Sequence, residues 1–369
     1  LNWRFSQIFG DKLPDDDVQD IDIISAIDFD KSGNHIAVGD RGGRVVVFEN
    51  NGGKDNSHEL TSRTELEKLD GAIRYRPKYR YKTEFQSHEP QFDYLKSIEI
   101  EGVINKVRWC ASTNRSLSVL SANDKTIKLW WIKELKNKSI KDIELTQPVN
   151  SENSLLAEKS YVNGETPYFS NDHSLEWNDN DVSSCNGAHG KISCSEDACA
   201  AKCRRVYANA HDFSINSISV NSDLETFISG DELRINLWNL ENSNQCFNII
   251  DLKPAVMEDL VEMITGAEFH PFHCNLLAYS SSRGFIRIVD LRKSALCDNN
   301  ARILKDVDSH GPKSFFTEII ASITDMKFAS DGRHIVSRDY MNMKLWDMRM
   351  DAGPVATYTI HDSLKSKVT

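Results

Sequence analysis

The chain has 369 residues, 40% hydrophobic and 27% charged, which is enough to bury a large core. Its 55 acids outnumber 44 bases for a formal charge of −11, so it has no global attraction for nucleic acid or anionic lipid. No stretch approaches the roughly 18 apolar residues of a membrane span, and the start of the chain, broken by Arg4, Ser6 and Gln7, does not read as a secretory leader. The eight cysteines follow no compact disulfide framework, and an intracellular, reducing home is the simpler reading.

Ahead of the first patterned segment runs DDDVQDID, holding Asp15, Asp16, Asp17, Asp20 and Asp22. It lacks the spacing and the glycine of a calcium-binding loop. It reads either as a solvated lead-in or as an acidic rim that attracts basic partner segments. Five segments then share one pattern, near residues 22–50, 84–132, 207–240, 264–293 and 323–350. Each has an alternating β-rich stretch, a polar turn and a second apolar run. A tight turn with Asp or Ser follows, then a third strand that ends on Phe48, Trp130, Trp238, Val289 or Trp346.

Short strands repeated in this way mark a WD40 β-propeller. One small sheet cannot bury both faces alone, whereas sheets stacked side by side share a continuous core. The fold class is therefore all-β. Asp40, Asp124, Asp231 and Asp339 fall in the tight turns, where a carboxylate bonds backbone N–H groups; contact with a ligand is the other role open to them. Trp130, Trp238 and Trp346 are expected between blades. Five blades are recognisable, and the chain reads as one whose C-terminal blades are missing. VATYTIH, within 354–368, looks like the start of a further blade, and NWRFSQIFG, at 2–10, like a strand with no blade of its own.

Residues 51–70 read as a hairpin tip or loop, and residues 133–205 as a long polar insert rich in Asn, Ser, Asp and Glu. The insert carries Cys185, His189, Cys194, Cys199 and Cys203, ligand types that zinc accepts; without a CxxC pair they read as loop thiols. RYRPKYRYK, at 74–82, has the composition of a base-stacking strip, yet an outer strand with solvent-facing bases fits as well. No nucleic-acid partner is assigned. No nucleophile elbow, Walker A loop, HExxH or CxxC is present, and GDRGGR at 39–44 lies between two strands as a hairpin turn. No catalytic residue, metal or cofactor is assigned.

Several blocks are more specific than the loose repeat pattern. They are GDRGGRVVVF at 39–48, FQSHEPQFDYLKSIEIEGVINKVRW at 85–109, NDKTIKLW at 123–130 and RRVYANAHDFSINSISVNSDLETFISGDELRINLWNLE at 204–241. SFFTEIIASITDMKF at 314–328 and SRDYMNMKLWDMRM at 337–350 continue the series. Together they resemble the B55 (PR55) family of regulatory B subunits of serine/threonine protein phosphatase 2A, in phrasing most like plant members. The resemblance implies a propeller of seven blades, five of them recognisable here. It also implies a non-catalytic role, in which the chain joins the scaffold and catalytic subunits of phosphatase 2A. Such a protein recruits phosphoproteins with basic and hydrophobic motifs, in the cytoplasm and the nucleus.

Carried over by motif position, the contacts to those phosphoproteins fall on Asp20 and Arg41, and on Phe213, Ser214 and Glu232. They continue on Met257 and Leu260 of VMEDL and on Phe315 and Phe316 of SFFTE, four residues for which core packing is the rival role. Ser214 stands where members commonly have His. The insert at 133–205 takes the place of the arm that grips the scaffold, and its middle does not match the family well. The alternative function is a WD40 adaptor that serves a different complex.

Overall fold

Side chains alternate between the two faces of a strand, so a strand apolar on both faces has to lie between two neighbours. That demand organises this molecule. The computed structural model describes residues 7, 9, 19–50, 78–110, 117–134, 199–293, 301–306, 319–350 and 353–361. These residues form five four-stranded antiparallel sheets, arranged as a five-bladed β-propeller, and one separate hairpin.

The first sheet runs β1 (Ile24–Phe29), β2 (His35–Asp40), β3 (Arg44–Asn50) and β4 (Tyr79–Gln86). The hairpin is β5 (Gln91–Asp93) with β6 (Ile98–Ile100). The second sheet holds β7 (Lys106–Cys110), β8 (Leu117–Ala122), β9 (Ile127–Glu134) and β10 (Cys199–Tyr207). The third holds β11 (Ser217–Val220), β12 (Thr226–Gly230), β13 (Arg234–Asn239) and β14 (Cys246–Asp251). The fourth is β15 (Ile264–Phe269), β16 (Leu276–Ser281), β17 (Ile286–Asp290) and β18 (Arg302–Leu304). The fifth is β19 (Asp325–Phe328), β20 (His334–Arg338), β21 (Asn342–Asp347) and β22 (Ala356–Thr359).

Each boundary between consecutive sheets has its own core. Ala37, Val45 and Val47 of the first sheet meet Ile104, Val107, Val119 and Ile132. Leu120 and Leu129 of the second meet Ile218, Phe227 and Trp238 of the third. The next residue along β12, Ile228, turns the other way and packs with Ile264, Phe269 and Leu277. Ala278, Ile286 and Ile288 then meet Ile323, Met326, Ile335 and Trp346. Full burial of each of these aliphatic or aromatic side chains contributes roughly 1.5–3 kcal/mol. One-residue alternation, as at Phe227 and Ile228, lets a single strand supply two cores.

Polar bolts repeat along the inner strands. Asp28 on β1 accepts the Trp109 N–H at 3.1 Å, Ser219 on β11 accepts the Phe269 N–H at 2.9 Å, and Glu268 on β15 accepts the Phe328 N–H at 3.0 Å. Each side chain thereby caps a donor in the next sheet. His270, in the β15–β16 turn, has a similar role. Its Nδ1 accepts the N–H groups of Phe272 and His273 at 3.1 and 3.0 Å, which leaves Nε2–H to donate to Gly332 O, in the β19–β20 turn, at 2.7 Å.

Four expectations change. The insert placed at 133–205 is shorter, because residues 133–134 end β9 and residues 199–205 belong to β10, its partner strand, which leaves 135–198 between them. The repeats read as three strands each, but every blade has a fourth, outer strand displaced along the chain. VATYTIH does not begin a further blade: Ala356–Thr359 pairs with β21 as the outer strand of the fifth sheet. In the second blade the turn residue is Asn123, not Asp124. The Asn123 side-chain oxygen Oδ1 accepts the N–H groups of Lys125 and Thr126 at 3.0 and 2.8 Å, while the Asp124 carboxylate accepts from Asn105 Nδ2 at 2.7 Å.

The other three acids cap their turns as expected. Asp40 accepts the Arg44 N–H, Asp231 those of Leu233 and Arg234, and Asp339 those of Met341 and Asn342. Trp130, Trp238 and Trp346 are buried at 9%, 2% and 1% exposure. Near the start of the chain, the Gln7 amide makes two bonds to the Tyr79 backbone and Phe9 packs on Phe48 at 4.4 Å. Residues 2–6, 8 and 10 lie outside the described residues.

Candidate functional site

Tight turns fix one end of the sheets, and the segments that enter and leave each blade are hydrogen-bonded to those turns. In the first blade the Arg41 and Gly42 N–H groups bond Ile23 O and Ile21 O at 3.0 and 2.8 Å. This zips the β2–β3 turn to the 3-10 turn Asp20–Asp22. Asp20 and Arg41, both exposed, are therefore held on one rim. Arg44 steadies that rim from below: its guanidinium bonds Asp40 Oδ2 at 2.8 Å and Asp22 Oδ1 at 2.5 Å.

In the third blade the same logic places Glu232. The Leu252 N–H bonds Leu233 O at 2.8 Å and the Ile264 N–H bonds Glu232 O at 2.7 Å, so the segment between the third and fourth sheets is stitched to the β12–β13 turn. That segment contains the 3-10 turn Met257–Asp259. Met257 is 46% exposed and Leu260 is half-buried, with Val256 and Val261 exposed beside them. Core packing is thus not the role of Met257. Phe213 is half-buried and Ser214 exposed, both in the connection that enters the third sheet. Phe315 and Phe316 lie outside the described residues.

The rim gathers charge of both signs. Glu232 is exposed. Next to Phe213, Asp212 draws in cations from separate elements. Its carboxylate lies 3.6 Å from Lys96 Nζ, 3.2 Å from Arg234 Nη1 and 3.8 Å from Lys253 Nζ, and its carbonyl accepts Lys125 Nζ at 2.5 Å. Sequence reasoning missed this group, because its members are scattered from residue 96 to residue 253 and share no motif.

Other expected sites resolve differently. Residues 79–82 begin β4, where Lys82 and Arg80 reach Glu49 at 3.1 and 3.7 Å and the Tyr79 hydroxyl bonds Gly33 O at 2.6 Å, so this is an outer strand tied to its own sheet. Residues 74–77 lie outside the described residues, as do Cys185, His189 and Cys194. Among the described residues no group of three or more His, Cys, Asp or Glu is placed to hold a metal ion. Cys203 is not a loop thiol: it lies on β10 opposite Trp130, its Sγ bonds Arg205 O, and burial pushes its thiol up. Burial also holds the Cys110 thiol at about 12, where it is inert.

The chain is 55% identical over 377 aligned positions to the alpha isoform of a 55 kDa B-type regulatory protein of serine/threonine protein phosphatase 2A from Arabidopsis thaliana, covering 100% of this chain and 73% of that protein. The chain belongs to this family of phosphatase 2A regulatory B subunits. A rice alpha isoform is 54% identical and is spanned to 64% of its length, and a fission-yeast member of the B type is 47% identical and spanned to 70%. No family model matches the chain. The turns at Asp40 and Asp231 lie in the segments 39–48 and 204–241, which carry the resemblance.

Proposed function

We propose that the chain is the non-catalytic, client-selecting member of a phosphatase 2A assembly. It joins the scaffold and catalytic subunits and presents phosphoproteins to the latter from the turn end of its blades. The observation that carries this reading is identity above 50% to 55 kDa regulatory B subunits across the whole chain, on a fold built for binding. The hydrolytic chemistry belongs to the catalytic partner. This chain contributes position, which raises the local concentration of a client without adding a reactive group.

Client contacts are assigned to Asp20, Arg41, Phe213, Ser214, Glu232, Met257 and Leu260, with Phe315 and Phe316 further along. The exposed acids Asp20 and Glu232 suit lysines or arginines, and Met257 with Leu260 gives an apolar anchor. The insert between β9 and β10, residues 135–198, is assigned to the scaffold, and the assembly to the cytoplasm and the nucleus.

A turnover assay tests this. Added to a scaffold–catalytic dimer, the chain is expected to accelerate dephosphorylation of a phosphoprotein that carries a basic–apolar segment more than one in which that segment is scrambled. Equal acceleration of both contradicts client selection.

A further inference from the structure

Four cations gather around Asp212, and one carboxylate cannot serve them all. Lys96 comes from the β5–β6 hairpin, Lys125 from the β8–β9 turn, Arg234 from the start of β13, and Lys253 from the segment after β14. Only Arg234 comes within hydrogen-bond distance of the carboxylate, at 3.2 Å; Lys96 and Lys253 stop at 3.6 and 3.8 Å. Lys125 is spent on the main-chain oxygen. The remaining acids nearby are already engaged. Asp251 pairs with Arg234 Nε at 3.1 Å, Asp93 accepts the Leu95 and Lys96 N–H groups, and Asp124 accepts Asn105. The side chains of Lys96, Lys253 and Asp212 are 54%, 41% and 47% exposed, so solvent and partners reach them. In a chain of net charge −11, four cations from separate elements thus converge beside Phe213 and Ser214, and the carboxylates that approach them are those of Asp212 and Asp251.

We propose that Lys96, Arg234 and Lys253, with Lys125 behind them, form an anion-binding site for a phosphoryl group on a docked protein, and that Asp212 fills it as an internal stand-in. A phosphoryl group carries up to two charges and three terminal oxygens, enough to bond cations that a single carboxylate leaves beyond reach. Arg234 is fixed by Asp251 and offers a planar fork, while the two exposed lysines swing to meet the ligand. The inference rests on the reading that clients are phosphoproteins, and it assigns them a second phosphoryl contact apart from the one hydrolysed.

The test uses the full chain without phosphatase subunits, so its failure is separable from failure of the assembly reading. Fluorescence anisotropy compares a labelled phosphoserine decapeptide lacking lysine and arginine with its unphosphorylated twin; inorganic phosphate is the competitor. The phosphopeptide is expected to bind and its twin not to. Asp212→Asn is expected to tighten binding about fivefold, and Lys96→Glu with Lys253→Glu to weaken it about tenfold. Thermal melting checks that each variant keeps its fold, which exposed side chains allow. Equal binding of the two peptides overturns the proposal, as does a charge-reversed variant that binds as well as the parent. Phosphate that binds without any phosphopeptide binding overturns the docked-protein part.

Discussion

His211 Nδ1, in the connection that enters the third sheet, meets Asp231 Oδ2, in the β12–β13 turn, at 2.8 Å, with side chains only 1% and 0% exposed. The chain of bonds runs on: His211 Nε2 to Ser229 Oγ at 2.6 Å, and Trp238 Nε1 to the same oxygen at 2.8 Å. Trp238 can only donate, so its N–H, the serine hydroxyl and the imidazole N–H all point along one direction toward Asp231. The carboxylate also accepts the N–H groups of Leu233 and Arg234, both at 2.7 Å, and so fixes the turn that displays Glu232.

Removing that terminus should be expensive. Asp231→Ala strands three donors in a closed site and is expected to cost about 3 kcal/mol in urea unfolding. Glu232→Gln, one position on and exposed, is expected to stay within about 0.5 kcal/mol. Burial pushes Asp231 up, but His211 and the two backbone N–H groups outweigh it and hold the carboxyl below its usual value. Its contribution is therefore present above the unfolded pKa and lost as pH falls through the folded one.

Gly43 separates two kinds of glycine. It has φ +85, and a Cβ there would lie 2.0 Å from His88 O. Gly33 has φ +70 with nothing within 4 Å. Gly43→Ala is expected to cost at least about 2 kcal/mol, and Gly33→Ala about 1 kcal/mol. Thermal melts of the two variants check the order; equal losses would mean that the approach of His88 yields freely.

His88 should tilt stability with pH. Burial, helped by the Lys128 ammonium, pushes its imidazole down to about 3. The unfolded chain takes up a proton near the ordinary value of 6.5, and the folded chain does not until about 3. Stability is therefore whole above 6.5 and falls as pH drops between those two values, by up to about 1.4 kcal/mol per pH unit. Unfolding free energies at several pH values for the parent and His88→Gln check this. The variant is expected to show a shallower slope over that window.

Charge at the rim should affect clients and not the fold. Glu232→Lys is expected to weaken binding of a basic–apolar client peptide about tenfold while leaving the melting temperature and scaffold binding in place. Met257→Ala is expected to weaken the same peptide with little salt dependence, since an apolar anchor is not screened. Titration of both variants at two ionic strengths distinguishes the two contributions.

Much of the fold was legible because the turns announce themselves: an Asp after an apolar run, then two or three residues, then a second apolar run ending on Trp. The outer strands were less so: β4, beginning within RYRPKYRYK, and β22, within VATYTIH, carry a strand pattern, but nothing local says which blade an outer strand joins. Residues 51–77 stand between β3 and its partner β4, and residues 135–198 between β9 and β10, so no local pattern links those pairs. At the second blade the capping residue slid by one, since Asn123 offers the same acceptor as an Asp and leaves Asp124 free to bond Asn105. Asp20, Arg41 and Glu232 could be placed from motifs, but the cations around Asp212 meet only because separate connections converge on one rim.

The most direct measurement is co-elution. The full chain, mixed with the purified scaffold and catalytic subunits of phosphatase 2A, is run on size exclusion with mass detection. A stable species containing one copy of each of the three proteins is what membership and fold together predict. A folded, monodisperse chain that elutes apart from both partners at micromolar concentration would contradict the regulatory role.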